Sequence, residues 1–368
     1  MILLNDFKRQ WTDTGNEVLE CVRHVGESGW YVLGEQVAAF ERELASYWGV
    51  SEAVGVASGL DALELSLRIL GCGPGQRVLT TAVSAFATVL AILKTGAIPI
   101  FADCCNNGLI DFESCRRVLD RDRNIRFFIP VHLYGHSLEL DAISRLRQEF
   151  GLHIIEDCAQ SIGAAFHGRS TGSAGDLAAT SFYPTKNLGA IGDGGAVLTN
   201  NPEHAASLRV LRDYGQTAKY RHDAVGYNSR LDELHAAILR GVYLPRLNGW
   251  IARRREIAKR YREGIHHPCL CVPSAPSGSE SCYHLFPILA AENTKPSLIA
   301  HLRANEITTG EHYPIAIPDQ RVMAGLSFSG EFDRARRFCA SEISLPIHPY
   351  LSDDEIEQVV AACNGWKP

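Results

Sequence analysis

The sequence predicts an α/β fold with a mostly parallel sheet that is covered by helices on both faces. Between about residues 53 and 200, short apolar segments alternate with amphipathic ones, as in AVGVAS followed by LDALELSLRIL. The apolar segments are continuous, which is typical of strands buried on both faces of a parallel sheet. Because ligands of such sheets collect at the carboxyl ends of the strands, we expect a site at that edge.

The elements can be followed along the chain. Strands are predicted at AVGVAS, RVLTT, IPIFAD, IRFFIPVHLYG, LHIIED, AATSFY and GGAVLT, and helices at LDALELSLRIL, AFATVLAILKTG and LELDAISRLRQEF. After about residue 245 the alternation of strands and helices ends. LPRLNGWIARRREIAKRYREGI predicts a long amphipathic helix, and the proline-rich VPSAPSGSE follows it. The remainder contains the apolar segment HLFPILA and a predicted helix around SLIAHLRANE. We therefore expect a large α/β domain at residues 1–245 and a small C-terminal α+β domain at residues 246–368.

Composition excludes several classes of function. The net charge of -6 over 368 residues leaves no basic stripe, so we expect neither a nucleic-acid nor a membrane partner. RARRFC and ARRREIAKR are interpreted as solvated helix faces. The 11 cysteines are an odd number without metal-ligand spacing, which favours free thiols, no metal and a cytoplasmic location. MILLNDFKRQ has too short an apolar run for a signal peptide.

Lys186 lies between an apolar strand and a run of glycines in SFYPTKNLGAIGDGG. Proline, asparagine and glycine around it indicate a tight backbone, so the lysine is either a solvated loop charge or a positioned amine. Asp157 raises a similar question at the end of LHIIED, where strand alternation sends it and Glu156 to opposite faces. It is either a loop-capping acid or a carboxylate at the ligand edge.

Asp157 and Lys186 follow consecutive strands, so both can reach one pocket. An amine facing an acid that keeps a ring nitrogen protonated is the arrangement that a pyridoxal phosphate enzyme requires. That cofactor also needs a phosphate site, and SGLDAL at residues 58–63 offers a helix N-terminus. Ser181 can add a hydroxyl. Taken alone, these two features also fit an ordinary βα turn and an ordinary strand serine.

Six segments resemble a known family in their order and spacing. They are GLDAL, PVHLYG, IIEDCAQ, SFYPTKNLGAIGDGG, LRDYG and GYNSRLDELHAAIL, and they resemble the DegT/StrS family of nucleotide-sugar aminotransferases over roughly residues 15–350. The resemblance implies an aspartate aminotransferase-like fold with a mainly parallel seven-stranded sheet. It also implies pyridoxal 5'-phosphate as cofactor, glutamate and a nucleotide-linked keto sugar as substrates, and a homodimer with shared active sites.

The resemblance assigns roles position by position. Lys186 would bind the cofactor covalently, Asp157 would hold the proton on its ring nitrogen, and Gln160 would lie beside its ring hydroxyl. The phosphate would be held by Ser181, Gly59, the backbone of Leu60 and, from the neighbouring subunit, Asn228. The positions that resemble the sugar-nucleotide pocket are Tyr183, Lys219, Tyr220, Arg230, His312 and Tyr313.

Two positions depart from the family pattern. Many members read SGTDAL, whose threonine hydroxyl bonds the phosphate, whereas Leu60 has no hydroxyl. GLDAL does recur among members that resemble 3-keto-6-deoxyhexose aminotransferases, as does the HYP segment at residues 312–314, and this favours amination at C3. The aromatic residue that usually covers the cofactor ring aligns with Ala85, so we expect either the adjacent Phe86 or another residue to cover it.

The sequence thus predicts an aminotransferase for a 3-keto-6-deoxyhexose linked to a nucleotide, with dTDP as the expected nucleotide, and a 4-keto sugar is the alternative. A sugar dehydratase of the same fold is disfavoured, because its lysine position is commonly histidine. A regulatory protein would not explain an intact catalytic set. A metal hydrolase based on His132 and His136 is disfavoured further, because their spacing falls at a strand end without an accompanying acid.

Overall fold

The computed structural model describes residues 1–325 and 330–368. Two helices precede the first strand, and further helices lie between many of the later strands. They are α1 Phe7–Ser28, α2 Glu35–Trp48, α3 Gly59–Ile69, α4 Phe86–Lys94, α5 Phe112–Arg121, α6 Leu140–Phe150, α7 Pro202–Leu211, α8 Glu233–Ile238, α9 Leu247–Gly264, α10 Lys295–Ala304, α11 Asp333–Ser341 and α12 Asp353–Gly365. None of these helices is long and apolar enough to cross a membrane.

The strands are short, and most lie in one sheet. They are β1 Glu52–Val56, β2 Arg77–Thr81, β3 Ile98–Ala102, β4 Phe127–Ile129, β5 His153–Asp157, β6 Ala165–Phe166, β7 Arg169–Ser170, β8 Leu177–Ser181, β9 Gly195–Thr199, β10 Gln216–Ala218, β11 Arg221–His222, β12 Leu270–Cys271, β13 Ser279–Glu280, β14 Phe286–Ala290 and β15 Glu342–Leu345.

Seven strands form the large sheet, in the order β1-β9-β8-β5-β4-β2-β3. The pairs from β8 to β3 are parallel, whereas β9 is antiparallel to both β1 and β8, so β9 alone runs against the others. This confirms the mostly parallel sheet that the apolar segments predict, and the seven strands match the number that the resemblance implies.

Helices cover both faces of this sheet, as the continuous apolar strands predict. Along β1, Val54 and Val56 join a core that includes α3, α4 and α7. Ala53, which points the other way, joins a core with α2 and α8. Each strand therefore buries both of its faces, and polar groups are left for the strand ends.

The fourth strand is shorter than IRFFIPVHLYG predicts. Only Phe127–Ile129 pairs as a strand, and Pro130, which follows it, has no N–H to continue the ladder. A 3₁₀ turn at Leu133–Gly135 replaces the predicted extension. The structure also adds α1, α2, α5, α7, α8 and α12. In α5 the buried residues are only Ser114, Cys115 and Leu119, so its apolar stripe is too narrow to stand out in the sequence.

The C-terminal part forms a separate three-stranded antiparallel sheet, β12-β14-β15. Its core combines this sheet with α9, α10 and α12, and Ile2 from the start of the chain also packs there. The change in sequence pattern after residue 245 corresponds to the start of α9 at Leu247. The domain boundary itself stays a prediction.

The interpretation of ARRREIAKR as a wholly solvated face is wrong at Arg254. This residue is buried in α9, and its guanidinium donates to the carbonyls of Tyr283, His284 and Ile347. Burial lowers the pKa of Arg254 to about 10. Three backbone carbonyls stabilise the buried charge, which joins α9 to the segments on either side of it.

Candidate active site

The strand β5 ends at Asp157, a buried carboxylate at the carboxyl edge of the large sheet. Its Oδ1 accepts a hydrogen bond from the N–H of Ala159 (3.1 Å), and its Oδ2 accepts one from the hydroxyl of Thr88 (2.8 Å). Burial still raises the pKa of Asp157, because two hydrogen bonds replace only part of the lost hydration. A cation next to this carboxylate would therefore be strongly stabilised.

Glu156 points to the opposite face, as strand alternation predicts. Its carboxylate accepts from Nε2 of His132 (2.8 Å) and from the N–H groups of Gly172, Ala174 and Gly175 (2.7–2.9 Å). Burial alone would raise the pKa of Glu156, but these donors outweigh it and lower that pKa. Every donor comes from within the chain, so Glu156 has a structural role.

The polar contacts of His132 and His136 are also internal. Nδ1 of His132 accepts from the N–H of Leu138 (3.0 Å), so its Nε2 carries the proton given to Glu156. Nδ1 of His136 lies 2.9 Å from Oγ of Ser281. His132 and Glu156 do come within 4.8 Å of the Cys158 thiol, but hydrogen bonds occupy the atoms that would bind a metal. This favours a structural cluster.

Lys186 follows β8 in a turn that close backbone packing holds in place. Its N–H donates to the carbonyl of Tyr183 (2.8 Å). A Cβ at Gly189 would lie 2.3 Å from the carbonyl oxygen of Pro184, so only glycine fits there. The Lys186 side chain is half-buried, and its amine has no hydrogen-bond or ion-pair partner among residues 1–325 and 330–368. This packing favours a positioned amine over a freely solvated loop charge.

The electrostatics of Lys186 suit a reactive amine. Burial lowers its pKa to about 8, and the charge of Asp157 opposes that shift. A fraction of the amine is therefore uncharged near neutral pH, and it lies within electrostatic reach of the buried acid. The structure thus brings together the two residues that were predicted to act as a pair.

The N-terminus of α3 presents free hydrogen-bond donors at the same edge. Ser58 caps this helix, and a Cβ at Gly59 would lie 2.7 Å from Cβ of Ser181, so glycine lets the helix approach β8 closely. Within the described chain, the N–H groups of Gly59 and Leu60 have no hydrogen-bond partner. Oγ of Ser181 accepts from the N–H of Tyr183 (3.2 Å), which leaves its own proton free. These donors at a helix N-terminus suit a phosphate.

Gln160 connects the pocket to the HYP segment. Its Oε1 accepts from the N–H of Tyr134 (2.7 Å), and its Nε2 donates to the hydroxyl of Tyr313 (3.1 Å). The Tyr134 hydroxyl donates to the carbonyl of His312. Burial and the charge of Lys186 lower the pKa of His312 to about 4. Gln160, His312 and Tyr313 therefore lie on one wall near Lys186.

Four predicted residues lie outside this cluster in the single chain. Lys219 and Tyr220 are exposed between β10 and β11, where the amine stands 5.3 Å from the ring centroid. Arg230 donates to the Asp213 carboxylate (2.8 Å). Asn228 is exposed, and its side chain makes no hydrogen bond to any residue that the structure describes. Their predicted roles in the site stay predictions.

The residue that covers the cofactor ring also stays a prediction. Phe86 is the first residue of α4 and packs partly against the core, with Ala85 as the N-cap. Tyr183 is 52% exposed, so it is free to contact a ligand or a second subunit.

Sequence reasoning gave no role to Thr88, Tyr134 or His284. Thr88 lies one helical turn after Ser84 and shares a hydrogen bond with it (2.8 Å), and this spacing is the one sequence signal that it faces the strand ends. Tyr134 adopts the left-handed backbone conformation (φ 62°), which the sequence does not reveal. Burial lowers the pKa of His284 well below its usual range, and the charge of Lys186 adds to this shift.

A buried acid, a desolvated amine and an anion-binding helix N-terminus at one edge of this sheet define a class, the pyridoxal phosphate-dependent enzymes of aspartate aminotransferase-like fold. The sequence pattern of the DegT/DnrJ/EryC1/StrS aminotransferase family matches residues 12–364. The chain belongs to this family and is an aminotransferase.

Relatives and solved structures agree along nearly the whole chain. A dTDP-3-amino-3,4,6-trideoxy-alpha-D-glucose transaminase from Streptomyces venezuelae is 39% identical over 98% of this chain and 95% of its own. A dTDP-3-amino-3,6-dideoxy-alpha-D-galactopyranose transaminase from Aneurinibacillus thermoaerophilus is 40% identical over 95% of each chain. The crystal structure of S. venezuelae DesV superposes with a TM-score of 0.94 and 39% identity, covering 99% of this chain and 97% of that one.

Pyridoxal phosphate is the cofactor, and the residues here fit it. A putative sugar aminotransferase from Streptococcus pneumoniae, solved in its PLP form, is 25% identical with a TM-score of 0.87, covering 94% of this chain and 95% of that one. The unpartnered amine of Lys186, the free N–H groups of α3 and the buried Asp157 match an aldehyde, a phosphate and a ring nitrogen. When bound, the cofactor supplies an electron-withdrawing ring that carries the amino group between substrates.

Proposed function

We propose that this aminotransferase moves an amino group from glutamate to the C3 keto group of a dTDP-linked 6-deoxyhexose. The observation that carries amino transfer is the placement of the Lys186 amine near the buried Asp157 carboxylate, beside the N-terminus of α3. The names of two relatives, both dTDP-3-amino-sugar transaminases, support the nucleotide and the C3 position. Another relative, named for a UDP-linked 3-dehydro sugar, supports C3 more generally.

Different residues of the chain have different roles in the proposed reaction. Asp157 stays ionised against a protonated ring nitrogen and so keeps the ring electron-withdrawing. Lys186, whose pKa is lowered to about 8 by burial, removes a proton at one carbon and returns it at another. The N–H groups of Gly59 and Leu60 and the hydroxyl of Ser181 would hold the phosphate of the cofactor.

The substrate is tested by incubating the holoenzyme with glutamate and a panel of 3-keto and 4-keto sugars, each linked to dTDP or UDP. We expect an amino sugar from the dTDP-linked 3-keto-6-deoxyhexose, identified by mass and by the position of the amine in NMR spectra. Product from the 4-keto sugars alone would replace the C3 proposal by its alternative. Loss of water without amine incorporation would indicate a dehydratase. Absence of product across the panel, with aspartate and glutamine also tried, would contradict the function.

We also propose that the enzyme works as a homodimer with shared sites. Exposed aromatic and aliphatic side chains are concentrated in the N-terminal segment and next to the Lys186 turn, which is unusual for a surface that stays in water. They include Phe7, Trp11, Trp30, Tyr31, Val32 and Ile191. The side chain of Asn228 is exposed and makes no hydrogen bond in the described part of its own chain, as expected for a side chain that reaches a second subunit.

Asn228→Ala should weaken cofactor binding without unfolding the subunit. Leu60 has no hydroxyl, so a donor from across the interface matters more here. An amide-to-phosphate hydrogen bond contributes about 1.5–3 kcal/mol, so we expect a loss on the order of 10- to 100-fold in cofactor affinity. Titration of the apoenzyme with cofactor measures it. Asn124→Ala, at another exposed asparagine, is the matched control and should have no effect.

Mixed dimers test the sharing directly. Lys186→Ala and Asn228→Ala subunits, each inactive or impaired alone, should regain activity on mixing, because one of the two hybrid sites contains both natural residues. If activity stays absent after subunit exchange has been verified by mass spectrometry, Asn228 acts within its own chain and the shared-site proposal is wrong.

A further inference from the structure

His312 is linked to β15 by a chain of short polar contacts that ends at the buried Glu342. The N–H of His312 donates to Oε2 of Glu342 (2.6 Å), and the hydroxyl of Ser344 donates to Oε1 of the same carboxylate (2.6 Å). Oγ of Ser344 also lies 2.9 Å from Nδ1 of His312. Glu342 and Ser344 are both fully buried. Two residues of one strand thus hold both the backbone and the ring of His312.

This chain determines which ring nitrogen of His312 carries the proton. The Ser344 hydroxyl has one proton, and that proton is directed to the Glu342 carboxylate. While Glu342 is ionised, Oγ of Ser344 can therefore only accept from His312, so Nδ1 carries the imidazole proton. Nε2 then carries the lone pair, and it has no hydrogen-bond partner among the residues that the structure describes.

The free nitrogen belongs to the wall of the active site. His312 is half-buried, and its carbonyl accepts from Tyr134, whose N–H is bonded to Gln160. The charge of Lys186 is near enough to help lower the pKa of His312 to about 4, so the ring is neutral at working pH. A neutral imidazole with a free lone pair is a hydrogen-bond acceptor and not a cation.

We propose that Glu342 and Ser344 are positioning residues that keep the imidazole proton of His312 on Nδ1, so that its Nε2 accepts a hydrogen bond from a hydroxyl of the sugar substrate. The identity of the ligand rests on the proposed function, whereas the protonation pattern rests on the contacts alone. Such an acceptor selects a hydroxyl over a keto oxygen at the sugar position it meets, because a keto oxygen has no proton to donate.

The ionisation state of Glu342 controls the direction in which these hydrogen bonds run. Burial raises the pKa of Glu342 to about 7. The hydrogen bonds from Ser344 and His312 and the charge of Lys295 oppose this rise, whereas the charge of Glu311 adds to it. A protonated Glu342 would donate to Ser344, which would then donate to Nδ1 of His312 and move the imidazole proton to Nε2. The titratable groups that face Glu342 are Glu311, His312, Tyr313, Lys295, Tyr134 and Cys339.

Burial raises the pKa values of three of those neighbours, Tyr134, Tyr313 and Cys339, so all three are neutral at pH 7. The amine of Lys295 lies 2.5 Å from the carboxylate of Glu311, so these two groups pair with each other. A change near pH 7 is therefore assigned to Glu342.

The protonation pattern can be read without any substrate. Holoenzyme labelled with ¹⁵N-histidine gives long-range ¹H–¹⁵N correlations that distinguish the two neutral forms, and His312→Gln identifies the signal. Above pH 8 we expect Nδ1–H in the natural protein. Glu342→Gln keeps the shape but directs an amide N–H at Ser344, and it should convert His312 to Nε2–H. Nε2–H in the natural protein, or no change in Glu342→Gln, would overturn the proposal.

Steady-state kinetics test whether the protonation pattern of His312 affects binding of the sugar nucleotide. Ser344→Ala and Glu342→Gln should raise KM for the sugar nucleotide about 5- to 50-fold, the effect of one misdirected or missing hydrogen bond, and change kcat less than about threefold. Ser344→Thr keeps the hydroxyl and should restore KM. In the natural enzyme KM should rise as pH falls through about 7, and in Glu342→Gln this dependence should disappear.

Each result assigns failure to one proposal. Equal KM values for Glu342→Gln and the natural enzyme, with the tautomer changed as expected in that variant, would show that Nε2 does not contact the sugar and would overturn the binding role. If no keto sugar is aminated at all, the proposed function fails, while the ¹⁵N spectra still decide the positioning role of Glu342 and Ser344. Unfolding midpoints of all variants exclude loss of fold as the cause.

Discussion

Replacing Lys186 with alanine should reduce turnover by about 10⁴-fold or more while the protein still binds pyridoxal phosphate. Proton transfer at the reacting carbons needs a base, and Lys186 is an amine whose charge acts on Asp157. The phosphate site at Gly59 and Ser181 stays intact in this variant, so the cofactor remains bound without a covalent bond. Steady-state rates and equilibrium dialysis measure the two effects separately.

The covalent bond itself is trapped with borohydride and located by peptide mapping. The cofactor mass should appear on Lys186 alone, and Lys259→Ala, which removes an exposed lysine on α9 (71% exposed), should behave like the natural enzyme. The free amine is the reacting form, so attachment should accelerate with pH and level off above about 8, the lowered pKa of Lys186. Cofactor on Lys94 or Lys219 would contradict the assignment.

The fold was predictable because the strands of a parallel sheet have a distinctive sequence pattern. β1, β2, β5, β8 and β9 each bury nearly every side chain, so their sequences are continuous apolar segments that differ from the helices between them. The helix α5 leaves no such mark, because it buries only one narrow stripe. In the fourth strand, the regular strand stops at Ile129, before Pro130, although the apolar segment continues.

The centre of the site was predictable for a topological reason. The pairing of β5 with β8 brings the ends of both strands to one edge, so Asp157 and the turn with Lys186 had to approach each other. A similar argument places Ser181 beside Gly59. In both cases short-range sequence patterns locate the strand ends, and the rules of sheet topology supply the long-range contact.

The outer parts of the site follow no such rule. His312 meets Glu342 and Ser344 because an irregular segment bridges to β15, and no periodicity in the sequence indicates that contact. Thr88 reaches Asp157 across 69 positions through the packing of α4 on the sheet. The side chain of Asn228 has no hydrogen-bond partner among the described residues, and its predicted partner lies in a second subunit, so a single chain gives no contact from which its role could be derived.

Asp157→Asn should lower turnover by about 10³-fold, the second large loss expected here. Asparagine keeps the shape: its carbonyl can accept from the N–H of Ala159, and its amide can donate to the hydroxyl of Thr88. Only the negative charge is lost. The ring nitrogen then loses its proton, and a neutral ring withdraws electrons poorly. Rapid-mixing measurement of the glutamate half-reaction isolates this effect from product release.

Thr88→Val separates the charge of Asp157 from its hydrogen bonds. Valine matches threonine in shape and removes one donor to Oδ2 of Asp157, so the carboxylate stays but is less well held. We expect the turnover rate to fall about tenfold, the scale of one hydrogen bond to a charged group.

If Asp157→Asn retained nearly natural rates, a different acid would have to keep the ring nitrogen protonated. Glu156 is unsuited to that role, because His132 and three backbone N–H groups already occupy its carboxylate on the opposite face of β5.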